Sequence, residues 1–260
     1  MKRFTLVVVA LAAVTASAQY TNSYGYSFNN PISASVNSMF WDRMNSRLVY
    51  RVMLKKRGYT DAQLGQMTTA QMLEVLGGSK QAVEASKALP APTASRFKPA
   101  KKRLLVPSLA AAMTKDPEQQ AALKTLFEAG LTAYETEAAK EGLANDLAGA
   151  MTFFIGIGWM VSHDGQEPDE DGVTLLARQL QQALETPELK KVPDADKQQF
   201  YELMVSLGTW LLATWQQAEE TKDAQLRATA KEAARAIITG YLKVEPSQVR
   251  IGPAGLEFVK

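Results

Sequence analysis

The sequence contains no cysteine and a single histidine, His163, among its 260 residues. The first absence excludes thiolate nucleophiles, iron–sulfur clusters and cysteine-ligated zinc, and it leaves stability to packing where disulfides would be permitted. The second excludes a histidine-rich metal site and confines any Ser-His-Asp triad to that one imidazole. No phosphate loop, dinucleotide fingerprint, nucleophile elbow or zincin helix is present, and no repeat of solenoid period stands out. Net charge is also scarce. The formal value is +2, and because Lys2 and Arg3 lie in the leader described next, the remainder is formally neutral, which argues against a dedicated nucleic-acid binder.

What is present begins with that leader. Lys2 and Arg3 form a positive start, residues 4–14 are almost purely apolar, and Ala16-Ser17-Ala18 places small residues before Gln19. This three-part order predicts a cleavable export signal over residues 1–18 and a secreted or periplasmic protein. The apolar run is far shorter than the roughly 20 residues a membrane-spanning helix needs, and no cysteine follows it to carry a lipid.

Residues 19–31 are polar, with Tyr20, Tyr24, Tyr26 and Phe28 outside helical spacing, and read as a flexible segment. Residues 32–85 read as an N-terminal helical region: one amphipathic helix to about residue 56, then two short helices opened by the capping boxes Thr60–Gln63 and Thr68–Gln71. Residues 86–107 hold Pro90, Pro92, Pro99 and Pro107 and read as a basic, proline-rich linker. Residues 108–260 form the main domain. Asp116, Pro117 and Gln119 open a helix with Leu123, Leu126, Phe127, Leu131 and Tyr134 on one face. Further helices are predicted over 143–162, 173–185, 194–220 and 223–239, the last stopped by Gly240, and the alternation of 249–258 around a Gly-Pro-Ala-Gly turn predicts one small hairpin. The fold class is therefore all-α, a multi-helix bundle around a buried apolar central helix.

That central helix, 143–162, carries no charge after Asp146. A helix apolar all round lies inside a bundle or in lipid, and this one is short for a span. At 100° per residue, Asn145, Gly149, Thr152, Gly156 and His163 share one narrow stripe, small in the middle and polar at both ends. Such a stripe serves close helix approach or, in the sharper reading, lines a ligand groove with Asp146 at its edge. A carboxylate there needs a partner such as Arg or Lys, or has its pKa raised.

Two charged runs complete the candidates. His163 is followed by Asp164, Glu167, Asp169, Glu170 and Asp171, oxygen ligands suited to calcium, with Asp164, Glu167, Asp169 and Asp171 as the metal candidates. The EF-hand register fails, because with Gly172 at the sixth position the twelfth is Arg178 where a bidentate Glu is required. Arg96, Lys98, Lys101, Lys102 and Arg103 form a basic strip suited to anionic headgroups or an envelope polymer, to a plain hydrated linker, or to folding back on the acidic loop.

Three stretches, Arg96-Phe97-Lys98-Pro99, Asn145-Asp146-Leu147-Ala148 and Asp196-Lys197-Gln198-Gln199-Phe200-Tyr201-Glu202, together resemble an uncharacterised family of secreted bacterial helical proteins bearing only a domain-of-unknown-function label. The resemblance runs from Ser95 to the C-terminus. It implies fold and compartment and transfers no site. Three functional readings follow: a non-catalytic exported protein that binds an envelope component or another protein or has a structural role there, a carboxylate-dependent envelope hydrolase with two acids roughly 5–10 Å apart in one cleft, and a peripheral binder of anionic membrane or polymer through the basic strip. The missing chemistry favours the first.

Overall fold

The computed structural model describes residues 93–253 and 255–259, together with Leu54, residues 58–60 and Gln63. The expectations for residues 1–31, for most of 32–85 and for Thr68–Gln71 fall outside the described residues. The Thr60–Gln63 box is formed: the Thr60 amide donates to Gln63 Oε1 at 2.8 Å and the Gln63 amide donates to Thr60 Oγ1 at 3.3 Å.

From residue 93 onward, seven α-helices and one hairpin follow in order among the described residues: α1 (Val106–Met113), α2 (Pro117–Lys140), α3 (Leu147–Ser162), α4 (Glu170–Leu184), the single turn α5 (Pro187–Lys190), α6 (Asp194–Thr221), α7 (Ala224–Leu242), then β1 (Val249–Gly252) and β2 (Gly255–Phe258). The protein is an all-α bundle with a small C-terminal antiparallel sheet in which Val249 pairs with Phe258 and Ile251 with Leu256. Each boundary has a local cause. Asp116 accepts amides of Glu118 and Gln119 at the start of α2, and Asp223 does the same for Gln225 and Leu226 at α7, as N-cap carboxylates do.

Several predicted boundaries shift. The central helix begins at Leu147 instead of 143, because Asp146 is its N-cap and Asn145 takes a left-handed φ of 53° that no helix continues. Helix α4 starts at Glu170, three residues early, since Asp169 caps it through the Gly172 amide at 2.8 Å. Gly240 does not stop α7, which continues to Leu242 and ends at the left-handed Lys243. Pro107 does not interrupt a helix; it lies in the first turn of α1, where its missing N–H has no partner to lose.

Helix α3 occupies the centre: every residue from Leu147 to Val161 is buried, packed by α6, α7 and α4. No described helix is long and apolar enough to cross a membrane. Residues 93–105, inside the segment read as a linker, are docked on the bundle, with Ala94, Ser95, Phe97 and Leu105 buried. Their backbone is bound by side chains at the start of α6. Lys197 Nζ donates to the carbonyls of Ala94 and Arg96, Gln198 holds the Ala100 amide and the Lys102 carbonyl, and the fully buried Glu202 accepts from the Leu104 and Leu105 amides and from Gln198 Nε2. Glu202 thereby supplies the acceptor that α1, which has no capping side chain of its own, needs at its positive end. Burial holds the Lys197 ammonium below its ordinary range, against the carboxylates of Asp194 and Glu185. Prolines that break helices here favour an extended segment whose free amides and carbonyls are read by α6.

Candidate ligand-binding site

The N-terminal end of α3 is where that segment, α2 and α4 converge. The Phe97 amide donates to the Asn145 carbonyl at 3.1 Å and the Leu147 amide to the Ser95 carbonyl at 3.0 Å. Asp146, fully buried, caps α3 through the Ala148 amide at 2.9 Å, accepts from Gln181 Nε2 at 2.8 Å, and lies 3.8 Å from Arg96 Nε. The carboxylate at the edge of the apolar face thus has its basic partner, and Arg96 Nη2 donates in turn to the Gly142 carbonyl at 3.1 Å.

Above this junction lies a cleft of about 510 Å³ between α2, α3 and α4, a volume in the range of small-molecule sites. Its apolar wall comprises Tyr134, Ala138, Leu143, Phe153, Val173 and Ala177; Gly149 and Thr152 form its α3 side. Thr152 Oγ1 is turned back to the Ala148 carbonyl at 2.7 Å, so it presents its methyl. A side chain at Gly149 would come within 2.8 Å of the Tyr134 hydroxyl and 2.9 Å of Leu143 Cβ. Glycine is required there because the phenol passes directly over the helix backbone.

Tyr134 is 5 % exposed, and its hydroxyl has no hydrogen-bond partner among the described residues. Burial, followed by the neighbouring Tyr201, Asp146 and Glu135, pushes its pKa well above the usual phenol value. A buried hydroxyl without a partner costs free energy, about 1–3 kcal/mol. Behind it an aromatic ladder runs through the core, Phe97 to Tyr201 at 5.2 Å, Tyr201 to Tyr134 at 5.8 Å and Tyr134 to Phe153 at 5.2 Å, which fixes the ring.

The rim carries Arg96, Lys140 and Arg178 against Glu137, Glu141 and Glu170. Lys140 is paired with Glu137 at 2.7 Å, while Glu141 and Glu170 have interactions of their own. Arg178 forms no ion pair or hydrogen bond among the described residues.

The predicted stripe therefore divides. Gly149 and Thr152 line the cleft, and Asn145 and Asp146 build its end, but Gly156 is buried outside it and His163 lies at the opposite end of α3. There the imidazole stacks on Trp159 at 4.2 Å, with Nδ1 2.8 Å from the Trp159 carbonyl. The acidic loop is not gathered into a cation site. Asp164 pairs with Lys231 at 2.8 Å, which holds its carboxyl below the usual range, Asp169 is an N-cap, and Glu167 and Asp171 are exposed. Among the described residues no group of three or more His, Asp or Glu is placed to hold a metal. In the basic strip, Lys98, Lys101 and Lys102 are exposed, but Arg103 is committed to Glu135 of α2 through two hydrogen bonds at 2.6 and 2.9 Å, not to the acidic loop. Sequence reasoning placed Tyr134 on the apolar face of α2 and missed its role; a phenol on such a face needs an acceptor, and that need was the available signal.

Fold and site together define an all-α protein with one hairpin and a cleft beside its central helix. The chain belongs to the family of unknown function DUF6683, whose model matches residues 2–259. The match extends the resemblance, read from Ser95 onward, over almost the whole chain. No curated protein and no solved structure matches. The three stretches that carried the resemblance are brought together in the fold, Lys197 and Glu202 on the backbone of the docked segment and Asn145 and Asp146 against Ser95, Arg96 and Phe97.

Proposed function

We propose that this chain is an exported, non-catalytic binding protein of the bacterial cell envelope, and that it holds a small molecule in the cleft between α2, α3 and α4. The Tyr134 hydroxyl carries the reading: a buried polar atom without a partner among the described residues, on a side chain that lines a 510 Å³ cleft, is costly in the empty protein and repaid by a bound group. Export rests on the leader pattern of residues 1–18, and mass spectrometry of the envelope fraction should find a mature N-terminus at Gln19. An intact Met1 in the cytoplasm would remove the export reading.

The binding reading is tested with N-phenyl-1-naphthylamine, an uncharged fluorescent reporter of apolar clefts. Thr174 is exposed on the cleft rim, so Thr174→Trp should fill the cleft without touching the core and weaken reporter binding at least about tenfold, the loss of roughly 1.4 kcal/mol. A wild-type protein that does not bind the reporter, or a variant that binds equally well, would end this reading.

The hydrolase alternative has its best acids on the same rim. Glu137, Glu141 and Glu170 all face the cleft, but Glu137 is neutralised by Lys140, which favours binding over acid–base work. Turnover of an envelope polymer abolished by Glu137→Gln or Glu170→Gln would reverse that preference.

A further inference from the structure

Helices α3 and α4 form an antiparallel pair whose register is fixed at one end by the Gln181–Asp146 hydrogen bond. Arg178 lies one turn before Gln181, and Gly149 lies one turn after Asp146, so the two residues stand at one level of the helix pair, and both line the cleft. The Tyr134 hydroxyl stands there too, 2.8 Å from where a Gly149 side chain would begin. One cation and one buried hydroxyl, neither with a partner among the described residues, therefore share a single level of the cleft, and the wall beyond them, Phe153, Val173 and Ala177, is apolar.

Resting on the binding reading above, we propose that the cleft selects a small amphipathic carboxylate, with the carboxylate held by Arg178 and the Tyr134 hydroxyl and the apolar body laid along Phe153, Val173 and Ala177. The charge inventory favours a monoanion. Lys140 is paired with Glu137, and Arg96 is engaged with Asp146 and the Gly142 carbonyl, which leaves Arg178 as the rim cation with no ion pair or hydrogen bond among the described residues. A guanidinium takes a carboxylate in a bidentate fork, and the phenol supplies a third donor to the same oxygens. A second strong anion site for a phosphate dianion is missing, because Glu137, Glu141 and Glu170 line the same rim.

The test uses decanoate and 1-decanol as a charged and an uncharged probe of one length, titrated calorimetrically into the mature full chain. Wild-type protein should bind both. Arg178→Gln should weaken decanoate about ten- to hundredfold, the worth of a charge-assisted contact, and leave decanol unchanged. Because Arg178 is exposed and forms no ion pair or hydrogen bond among the described residues, the variant should keep its fold, and Arg178→Lys should recover part of the decanoate affinity by restoring charge without the fork. Tyr134→Phe should weaken decanoate by a smaller factor and decanol not at all. Equal decanoate affinity in wild type and Arg178→Gln would overturn the carboxylate assignment while the cleft stands as an apolar site. Failure of wild type to bind either probe would overturn both readings together.

Discussion

The two ends of α3 are made from the same residue types and are finished differently. At the C-terminal end Gly158 is packed by Ile237, whose Cγ2 stands 3.0 Å from a Cβ position, Trp159 is stacked on His163, and its indole N–H donates to the Val249 carbonyl at 2.9 Å. The Trp159 indole N–H and His163 Nδ1 each have a protein partner in reach, and α7 and the hairpin pack against this end. At the N-terminal end Gly149 is approached by the Tyr134 phenol and by Leu143, and a hydroxyl and a guanidinium beside the cleft have no partner among the described residues. A small residue on a buried helix thus permits close approach in both places, but only where the approaching group is polar and unsatisfied does it create a site. The difference is one of what the neighbour brings, not of what α3 supplies.

The sharpest way to break that contrast is at the caps. Asp146 is fully buried and bonded to Ala148, Gln181 and, more distantly, Arg96. Asp146→Ala should cost about 2–4 kcal/mol in urea denaturation, from the lost cap and the stranded Gln181 and Arg96, and should abolish binding in the cleft. At the far end Trp159→Phe loses one hydrogen bond and some ring area, about 1–2 kcal/mol, with cleft affinity unchanged. Equal effects of the two substitutions on binding would show that the ends are not functionally distinct.

Next in size come the glycines. A Cβ at position 149 meets the Tyr134 hydroxyl at 2.8 Å and the Leu143 backbone carbonyl at 3.1 Å, and backbone cannot give way as a rotamer can. Gly149→Ala should therefore cost about 1–3 kcal/mol and move the phenol, whereas Gly158→Ala meets nothing nearer than the Ile237 Cγ2 methyl at 3.0 Å and should cost about 1 kcal/mol or less. Thermal unfolding with the naphthylamine reporter present reads both quantities. A larger loss at 158 than at 149 would invert the comparison.

How far the sequence disclosed these ends follows from what each depends on. The central position of α3 was legible because an uncharged helix of that length has no solvent face to offer, and the capping residues Asp116 and Asp223 mark helix starts by a chemistry confined to a few residues. Gly149 and Thr152 were legible as a stripe for the same local reason. Tyr134 and Arg178 were not, because their meeting depends on the registers of α2 and α4 against α3, set by Gln181 and Asp146 across 35 residues. The docking of residues 93–105 was hidden likewise: prolines signal that a helix is absent, and whether an extended segment then floats or docks is decided by Lys197, Gln198 and Glu202 about a hundred residues away.

Alkaline titration probes the phenols of the cleft end. Burial raises the pKa of Tyr134 and of Tyr201 above the ordinary value of 10.0, so the folded state keeps protons that the unfolded chain releases. Their contribution is whole below about pH 10 and is lost as pH rises from there toward the folded values, with a slope approaching about 1.4 kcal/mol per pH unit for each phenol. Absorbance at 295 nm should show both ionising only with global unfolding. If Tyr134 ionises reversibly in the native protein near pH 10, the desolvation that raises its pKa is disproved.

The smallest expected effect separates the two ends most cleanly. Tyr134→Phe removes an oxygen that has no partner among the described residues, so the unliganded protein should be unchanged or more stable by up to about 1 kcal/mol, since deleting an unsatisfied buried group recovers its desolvation cost. A polar group with a structural partner gives the opposite sign, as loss of the indole N–H in Trp159→Phe should at the other end. Denaturation midpoints of the two variants, measured with and without decanoate, decide the matter: stability gained without ligand and affinity lost with it would mean that the hydroxyl is carried by the fold at a cost and used only in binding. A loss of about 1 kcal/mol or more in the unliganded Tyr134→Phe protein would instead place the hydroxyl among the groups that hold α2 to α3, and the N-terminal end of the central helix would then be finished in the same way as the C-terminal end.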